Sequence, residues 1–189
     1  MYTIVKKEEL SPGVKLFDVK AELIARKCQP GQFAILRIDE DGERIPLTIA
    51  DFDRAAGTIT LIFQEVGHTT RQLGTLNVGD ALLDLAGPLG KATHIENFGT
   101  VVCVGGGIGV APVYPIARAY KQAGNKVISI IGARSADLLI LEKEMAAVSD
   151  ELIITTDDGS KGRKALVTHP LQEMIDAGRK IDLVMAIGP

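Results

Sequence analysis

The chain has 189 residues, 46% hydrophobic and 24% charged, with a formal net charge of −3. That balance describes a globular protein with room for one large domain or two small ones, and gives no electrostatic reason to expect nucleic acid or an anionic membrane as partner. No apolar run approaches the ~20 residues of a membrane span, and the start MYTIVKKEEL carries no signal-peptide core, so the expected compartment is the cytoplasm.

Residues 1–96 read as β. The segments VKLFDVKA, FAILRI, IPLTIAD, TITLIFQEV and ALLDLAG alternate with the turn-forming SPG, QPGQ, DEDGE, AAG and NVGD. Their spacing of about 10 to 15 residues, with no long helical pattern between them, fits an antiparallel barrel or a sandwich. One short helix is expected in TTRQL. The pattern changes near Phe98, and residues 97–189 alternate strand and helix. TVVCVGG is a buried, parallel-type strand. Val113, Ile116, Ala117 and Tyr120 then share one face of a helix that starts at Pro112 and ends at Gly124. The strand KVISIIGA leads into a helix with Leu138, Leu141, Met145 and Val148 in register. ELIITT, a helix from about residue 170 to 177, and DLVMAIG complete the series. Continuous apolar strands of this kind belong to a parallel sheet covered on both faces. Because the series stops at AIGP, the second domain is expected to be C-terminally incomplete here.

The two cysteines, Cys28 and Cys103, suggest neither a disulfide framework nor a metal knuckle, and Cys103 is expected in the core. His68, His94 and His169 are too scattered for a metal site. No G-x-S-x-G, no H-E-x-x-H and no His/Asp couple suited to acid–base work is present.

The densest chemical signal is GGGIGVAP, residues 105–112. It does not fit the dinucleotide fingerprint G-x-G-x-x-G, because Val110 or Pro112 falls at the third glycine. It does fit G-x-G-x-A-P, formed by Gly107, Gly109, Ala111 and Pro112, with Gly106 before them. A glycine turn between strand and helix lets backbone approach a pyrophosphate, whose charge the helix N-terminus favours; the alternative is a tight turn without a ligand. Rossmann dehydrogenases hold the ribose with an acid at the end of the second strand. Here that strand ends in IGARS, with Arg134 and no acid, whereas the third ends in TTDDGS. Asp157 or Asp158 would repel a 2′-phosphate and accept ribose hydroxyls, which favours NAD(H) over NADP(H); an acidic turn capped by Gly159 is the alternative.

G-x-G-x-A-P opening the helix, the segment GARSADLLILEKEM and the terminal strand running into Gly188-Pro189 resemble the nucleotide domain of the ferredoxin–NADP reductase superfamily. The resemblance covers the whole chain. It implies a β + α/β fold, with an antiparallel Greek-key FAD-binding barrel (1–96) followed by a parallel-sheet NAD(P)-binding domain (97–189). In ERIPLTIAD, the residues Pro46, Leu47 and Thr48 match the Arg-Pro-Leu/Ile-Ser/Thr flavin motif of the electron-transfer subunits, while the motif's arginine position holds Ile45 and the nearest arginine is Arg44. Strand periodicity places Arg44, Pro46 and Thr48 on one face. VGHTTRQL, with Gly67, Thr69 and Thr70, is similar to the same branch's pyrophosphate segment; Ile62, Phe63 and Gln64 lie where its ribityl or adenine contacts arise; and GPLG resembles its barrel-closing turn. The implied chemistry is hydride exchange between nicotinamide and flavin, which requires orientation more than acid–base catalysis, with Thr48 tuning the flavin.

Within the superfamily, IARKCQPGQFAILRIDEDGERIPLTIADFD looks most like the small subunit of NADH-dependent reduced ferredoxin:NADP oxidoreductase, close to the electron-transfer subunit of dihydroorotate dehydrogenase. The partner then implied is a larger oxidoreductase subunit, glutamate-synthase-like or dihydroorotate-oxidising, with ferredoxin as a further partner. Those relatives also carry a [2Fe–2S] centre, for which two cysteines cannot supply four ligands. An autonomous NAD(P)H:flavin or oxygenase-type reductase is the competing enzyme reading, and a non-catalytic nucleotide-binding module a third.

Overall fold

The computed structural model describes residues 1–189, which divide into two compact units, Met1–Thr93 and His94–Pro189. In the first unit the strands are β1 (Tyr2–Ser11), β2 (Val14–Lys20), β3 (Phe33–Arg37), β4 (Ile45–Asp53), β5 (Thr58–Gln64), β6 (Ala81–Leu82) and β7 (Asp84–Leu89). They form one antiparallel sheet in the order β6-β1-β2-β5-β4-β3-β7. The two edge strands follow one another in the chain with only Leu83 between them, so the sheet curls into a nearly closed barrel. The stretch β2-β5-β4-β3 has three hairpin-connected strands and a fourth beside the first, a Greek key. Helix α1 (Glu22–Lys27) lies in the long β2–β3 connection, and α2 (His68–Thr75) follows β5.

Period-2 alternation accounts for the barrel core. Phe17, Val19, Leu36, Ile49, Ile59, Leu61 and Phe63 all point inward and are at most 2% exposed. Phe17 and Phe63 meet edge to face with ring centroids 5.2 Å apart, a favoured aromatic geometry.

Two elements of this unit lie outside the sequence expectation. β1 contains the charged run Lys6-Lys7-Glu8-Glu9, which masks its strand pattern; only Ile4 and Ser11 of its ten residues are buried. α1 is one and a half turns long, too short for a helical period to show. ALLDLAG, expected as one strand, is divided at Leu83 into β6 and β7.

The second unit is a parallel sheet of β8 (Thr100–Gly106), β9 (Lys126–Ala133), β10 (Glu151–Thr156), β11 (Arg163–Lys164) and β12 (Leu183–Ile187), in the order β11-β10-β9-β8-β12. The helices are α3 (Val110–Gln122), α4 (Glu142–Ala147) and α5 (Thr168–Asp176). Val102, Val104, Ile128 and Ile130 pack with Met174 of α5 on one face, and the alternating Val101, Cys103, Val127 and Ile131 are fully buried on the other. Val113, Ile116, Ala117 and Tyr120 of α3 are buried, as their spacing predicts. Asn125, 3% exposed, ties α3 to the chain entering the unit. Its side chain accepts from the Phe98 and Gly99 amides and donates to the Glu96 and Tyr120 carbonyls, so all its polar capacity is used.

The helix expected over Leu138–Val148 is shorter. Residues 136–138 form a single 3-10 turn, Leu141 is left-handed at φ 55°, and only Glu142–Ala147 is α-helical. The Ala136 amide donates to Ser160 Oγ at 2.8 Å, which ties the start of this segment to the loop after β10. Both cysteines are buried in separate units, and burial pushes their thiols up to about 11 (Cys28) and about 12 (Cys103). Each is an unreactive core residue.

Candidate functional site: a barrel strip and a glycine turn

In the barrel, β4 pairs with β3 so that Phe33 faces Thr48 and Ile35 faces Pro46, while Ile35 on its other side faces Ala86 of β7. Ile45 and Leu47 pack against the core. Thr48, Pro46, Phe33, Ile35 and Ala86 therefore share the outward face, a mostly apolar strip with one hydroxyl. Thr48 has no hydrogen-bond partner within the chain, which leaves its hydroxyl available. What Leu47 offers to the outside is its backbone.

Arg44 lies just before β4 and is 61% exposed by its side chain. Its guanidinium reaches Asp84 Oδ2 at 3.2 Å, the same oxygen that Arg37 holds at 2.7 Å. Two guanidinia on one carboxylate leave a net positive charge beside the strip. Of the β5 trio, Phe63 points into the core against Phe17, Ile62 is 7% exposed, and Gln64 is exposed at the strand end.

The first turn of α2 completes this half. Gly67 is extended, its amide donates to Thr70 Oγ1 at 3.0 Å, and that hydroxyl donates back to the Gly67 carbonyl at 3.2 Å. Thr70 thus serves as the helix's own cap. Thr70→Val should cost about 1 kcal/mol of stability, read as a lowered melting temperature, and any loss of ligand would come through that loosening. Thr69 is 6% exposed and donates to Glu43 Oε2 at 3.1 Å. This bond brings the residues leading into β4 to the start of α2.

In the second unit the glycine turn sits at the carboxyl end of β8, between β9 on one side and β12 on the other. The strand order reverses there, which is where open α/β sheets bind ligands. The glycines divide by what they do. A Cβ at Gly109 would lie 2.3 Å from the Ile187 carbonyl oxygen, and one at Gly105 would lie 2.9 Å from Val110 Cα. A Cβ on Gly188 would meet the Gly106 backbone at 3.2–3.4 Å. These positions let turn and strand end approach closely. Gly107 is different: it has φ +56° and open space around its Cβ position. Ala111 and Pro112 lie in the first turn of α3, where proline loses no needed hydrogen bond.

Arg134, Asp157 and Asp158 come together at the carboxyl ends of β9 and β10. The Asp157 amide donates to the Ala133 carbonyl and the Asp158 amide to the Arg134 carbonyl, both at 3.1 Å. The two acids then differ. Asp158 accepts from the Ser160 hydroxyl at 2.6 Å and the Ser160 amide at 2.9 Å; these bonds, the hydroxyl's first, hold its carboxyl below the usual range. Asp157 is exposed and its carboxylate accepts no hydrogen bond. Sequence reasoning could not rank them, although the Asp-x-Ser spacing that makes the turn is visible in DDGS. Glu43 was missed altogether, since nothing local links it to a threonine 26 positions on.

No group of three or more His, Cys, Asp or Glu residues is arranged to hold a metal ion, and the two buried cysteines do not fit a [2Fe–2S] centre. No helix is long and apolar enough to cross a membrane.

No family model matches the chain. It is 43% identical over 186 residues to a dihydroorotate dehydrogenase B (NAD(+)) electron transfer subunit homolog of Thermotoga maritima, covering 98% of this chain and 65% of the relative. It is 33% identical over 193 residues to the dihydroorotate dehydrogenase B (NAD(+)) electron transfer subunit of Enterococcus faecalis, covering 100% of this chain and 73% of the relative. Among solved structures, a chain of NADH-dependent reduced ferredoxin-NADP oxidoreductase superposes with a TM-score of 0.94 at 42% identity, over 100% of this chain and 68% of the other. Phthalate dioxygenase reductase, at 17% identity and a TM-score of 0.78 over 100% of this chain and 60% of the other, shares the fold. The sequence relatives and the shared two-part architecture lead to one assignment: the chain belongs to the family of dihydroorotate dehydrogenase B electron-transfer subunits and their homologues, with a ferredoxin reductase-like fold.

Proposed function

We propose that this chain is the FAD- and NAD(H)-binding part of an electron-transfer flavoprotein subunit, which exchanges reducing equivalents between NADH and FAD and delivers them to a larger catalytic partner. The observation that carries the reading is the pairing, in one chain, of an outward strip bearing an unpartnered threonine hydroxyl with a glycine turn at a sheet switch point. The chain spans 65% of the Thermotoga relative's length, so the activity of the whole assembly is inferred from its relatives. Their names favour a dihydroorotate-oxidising partner; a glutamate-synthase-like one, which the sequence resemblance implies, is the second reading.

The residues present fit both cofactors. On the barrel unit, the strip of Pro46, Phe33, Ile35 and Ala86 would take an aromatic ring face, with the Thr48 hydroxyl offered to a ring nitrogen. Arg44 and the first turn of α2 would hold the phosphates, a place where the Glu43 carboxylate already stands as an anion on Thr69. On the sheet unit, Gly106, Gly107 and the start of α3 would hold the nicotinamide dinucleotide's pyrophosphate, with Asp157 at the ribose. FAD supplies the step between two-electron and one-electron transfer. The chain's contribution is binding, orientation and shielding from water, consistent with the lack of an acid–base couple. Gln64 and Ile62 lie at the end of the strand next to β4, where a ribityl or adenine group would pass.

The test is cofactor identity. Purified protein should be yellow and release FAD on denaturation. Release of FMN alone would contradict the phosphate assignment at α2, and a colourless protein that takes up no flavin would favour a nucleotide-binding module without electron transfer.

A further inference from the structure

The bond between Glu43 and Thr69 has a consequence for how flavin enters. Thr69 is 6% exposed, and a buried hydroxyl needs a partner. Its partner is the Glu43 carboxylate at 3.1 Å, an anion placed on the first turn of α2. Arg44, the neighbouring cation, makes its ion pair with Asp84 and none with Glu43. A threonine hydroxyl has one proton to donate. It cannot serve a carboxylate and a phosphate oxygen together, and the two anions repel.

We propose that Glu43 is a latch on the flavin phosphate site: its carboxylate holds Thr69, must give way for the pyrophosphate to bind, and so lowers flavin affinity. This rests on the flavin reading above. The geometry allows the release cheaply. The segment carrying Glu43 is anchored to α2 separately, by Gln72 Nε2 donating to Asp39 Oδ2 at 2.7 Å, and its turn is closed by Asp39 accepting from the Asp41 and Gly42 amides. Only the Glu43 side chain has to rotate.

The experiment is a titration of flavin-stripped protein with FAD and, separately, with riboflavin, which has the ring but no phosphate. Glu43→Gln keeps the shape and removes the charge; it should tighten FAD about tenfold at low salt, with the gain shrinking as salt rises. Riboflavin affinity should not change. Glu43→Ala should move FAD in the same direction. If the wild type binds FAD and both variants bind it equally or less well, the latch is wrong and the flavin site stands. If neither wild type nor variants bind FAD, the flavin site falls and the latch with it.

Discussion

A methyl group at Gly109 should disable the nucleotide unit through a backbone clash, whereas one at Gly107 should lower stability without any clash and still impair the nucleotide. At Gly109 the new Cβ would meet backbone alone: the Ile187 carbonyl oxygen at 2.3 Å, its carbon at 2.8 Å and Gly188 Cα at 3.1 Å. No side chain can rotate away, so either the turn lifts or β12 moves off β8. Overpacking of this kind costs roughly 1–3 kcal/mol, and the sheet's switch point is deformed with it. Gly109→Ala should therefore lower the melting temperature by several degrees and weaken NADH binding by at least about tenfold. Gly107→Ala meets no atom within 4 Å and bears only the left-handed backbone penalty at φ +56°, about 1–2 kcal/mol. If a phosphate lies against Gly107, this variant loses more NADH affinity than its lowered stability explains. Calorimetric NADH binding measured beside thermal melting separates the two. An unchanged NADH affinity in Gly107→Ala would mean that the turn is glycine-rich for packing alone.

NADH should reduce the bound flavin about tenfold faster than NADPH at low ionic strength, because a carboxylate near a 2′-phosphate repels it and salt screens that repulsion. We expect this discrimination to come from Asp157 rather than Asp158. Asp158 is engaged in the turn through Ser160, and Ser160 in turn receives the Ala136 amide. Asp157 presents an exposed carboxylate with no partner. Asp157→Ser should bring the two rates together. Asp158→Ser removes the turn's acceptor, so it should weaken both nucleotides and leave their ratio alone. Rapid mixing of each variant with each nucleotide, compared as a ratio, checks both expectations. A wild-type preference for NADPH would show that Arg134 governs this end of the sheet instead.

The parts legible in the sequence were those with a strong period. The buried face of α3, the continuous apolar strands β8 and β9, and the alternation of β4 and β5 each follow from spacing alone. Legibility failed where tertiary pairing decides. β1 is a strand because β2 and β6 flank it, despite its charged run. Leu138 and Leu141 keep a helical spacing outside any α-helix, because the backbone turns left-handed at Leu141 before α4 starts. At the candidate site, outward Thr48 and the glycine turn were visible as patterns. The inward turn of Phe63 follows from its register with the core face of β5, which the motif comparison overrode. Glu43 on Thr69 and the unequal roles of Asp157 and Asp158 depend on hydrogen bonds that no local pattern encodes.

On the proposed function, one chain both holds flavin and passes it electrons from NADH. Anaerobic titration of the flavin-loaded protein with NADH, followed by the flavin's visible absorbance, tests it directly. The absorbance should bleach with about one NADH per flavin, since each is a two-electron carrier. A flavin that stays oxidised with excess NADH and with excess NADPH would contradict it.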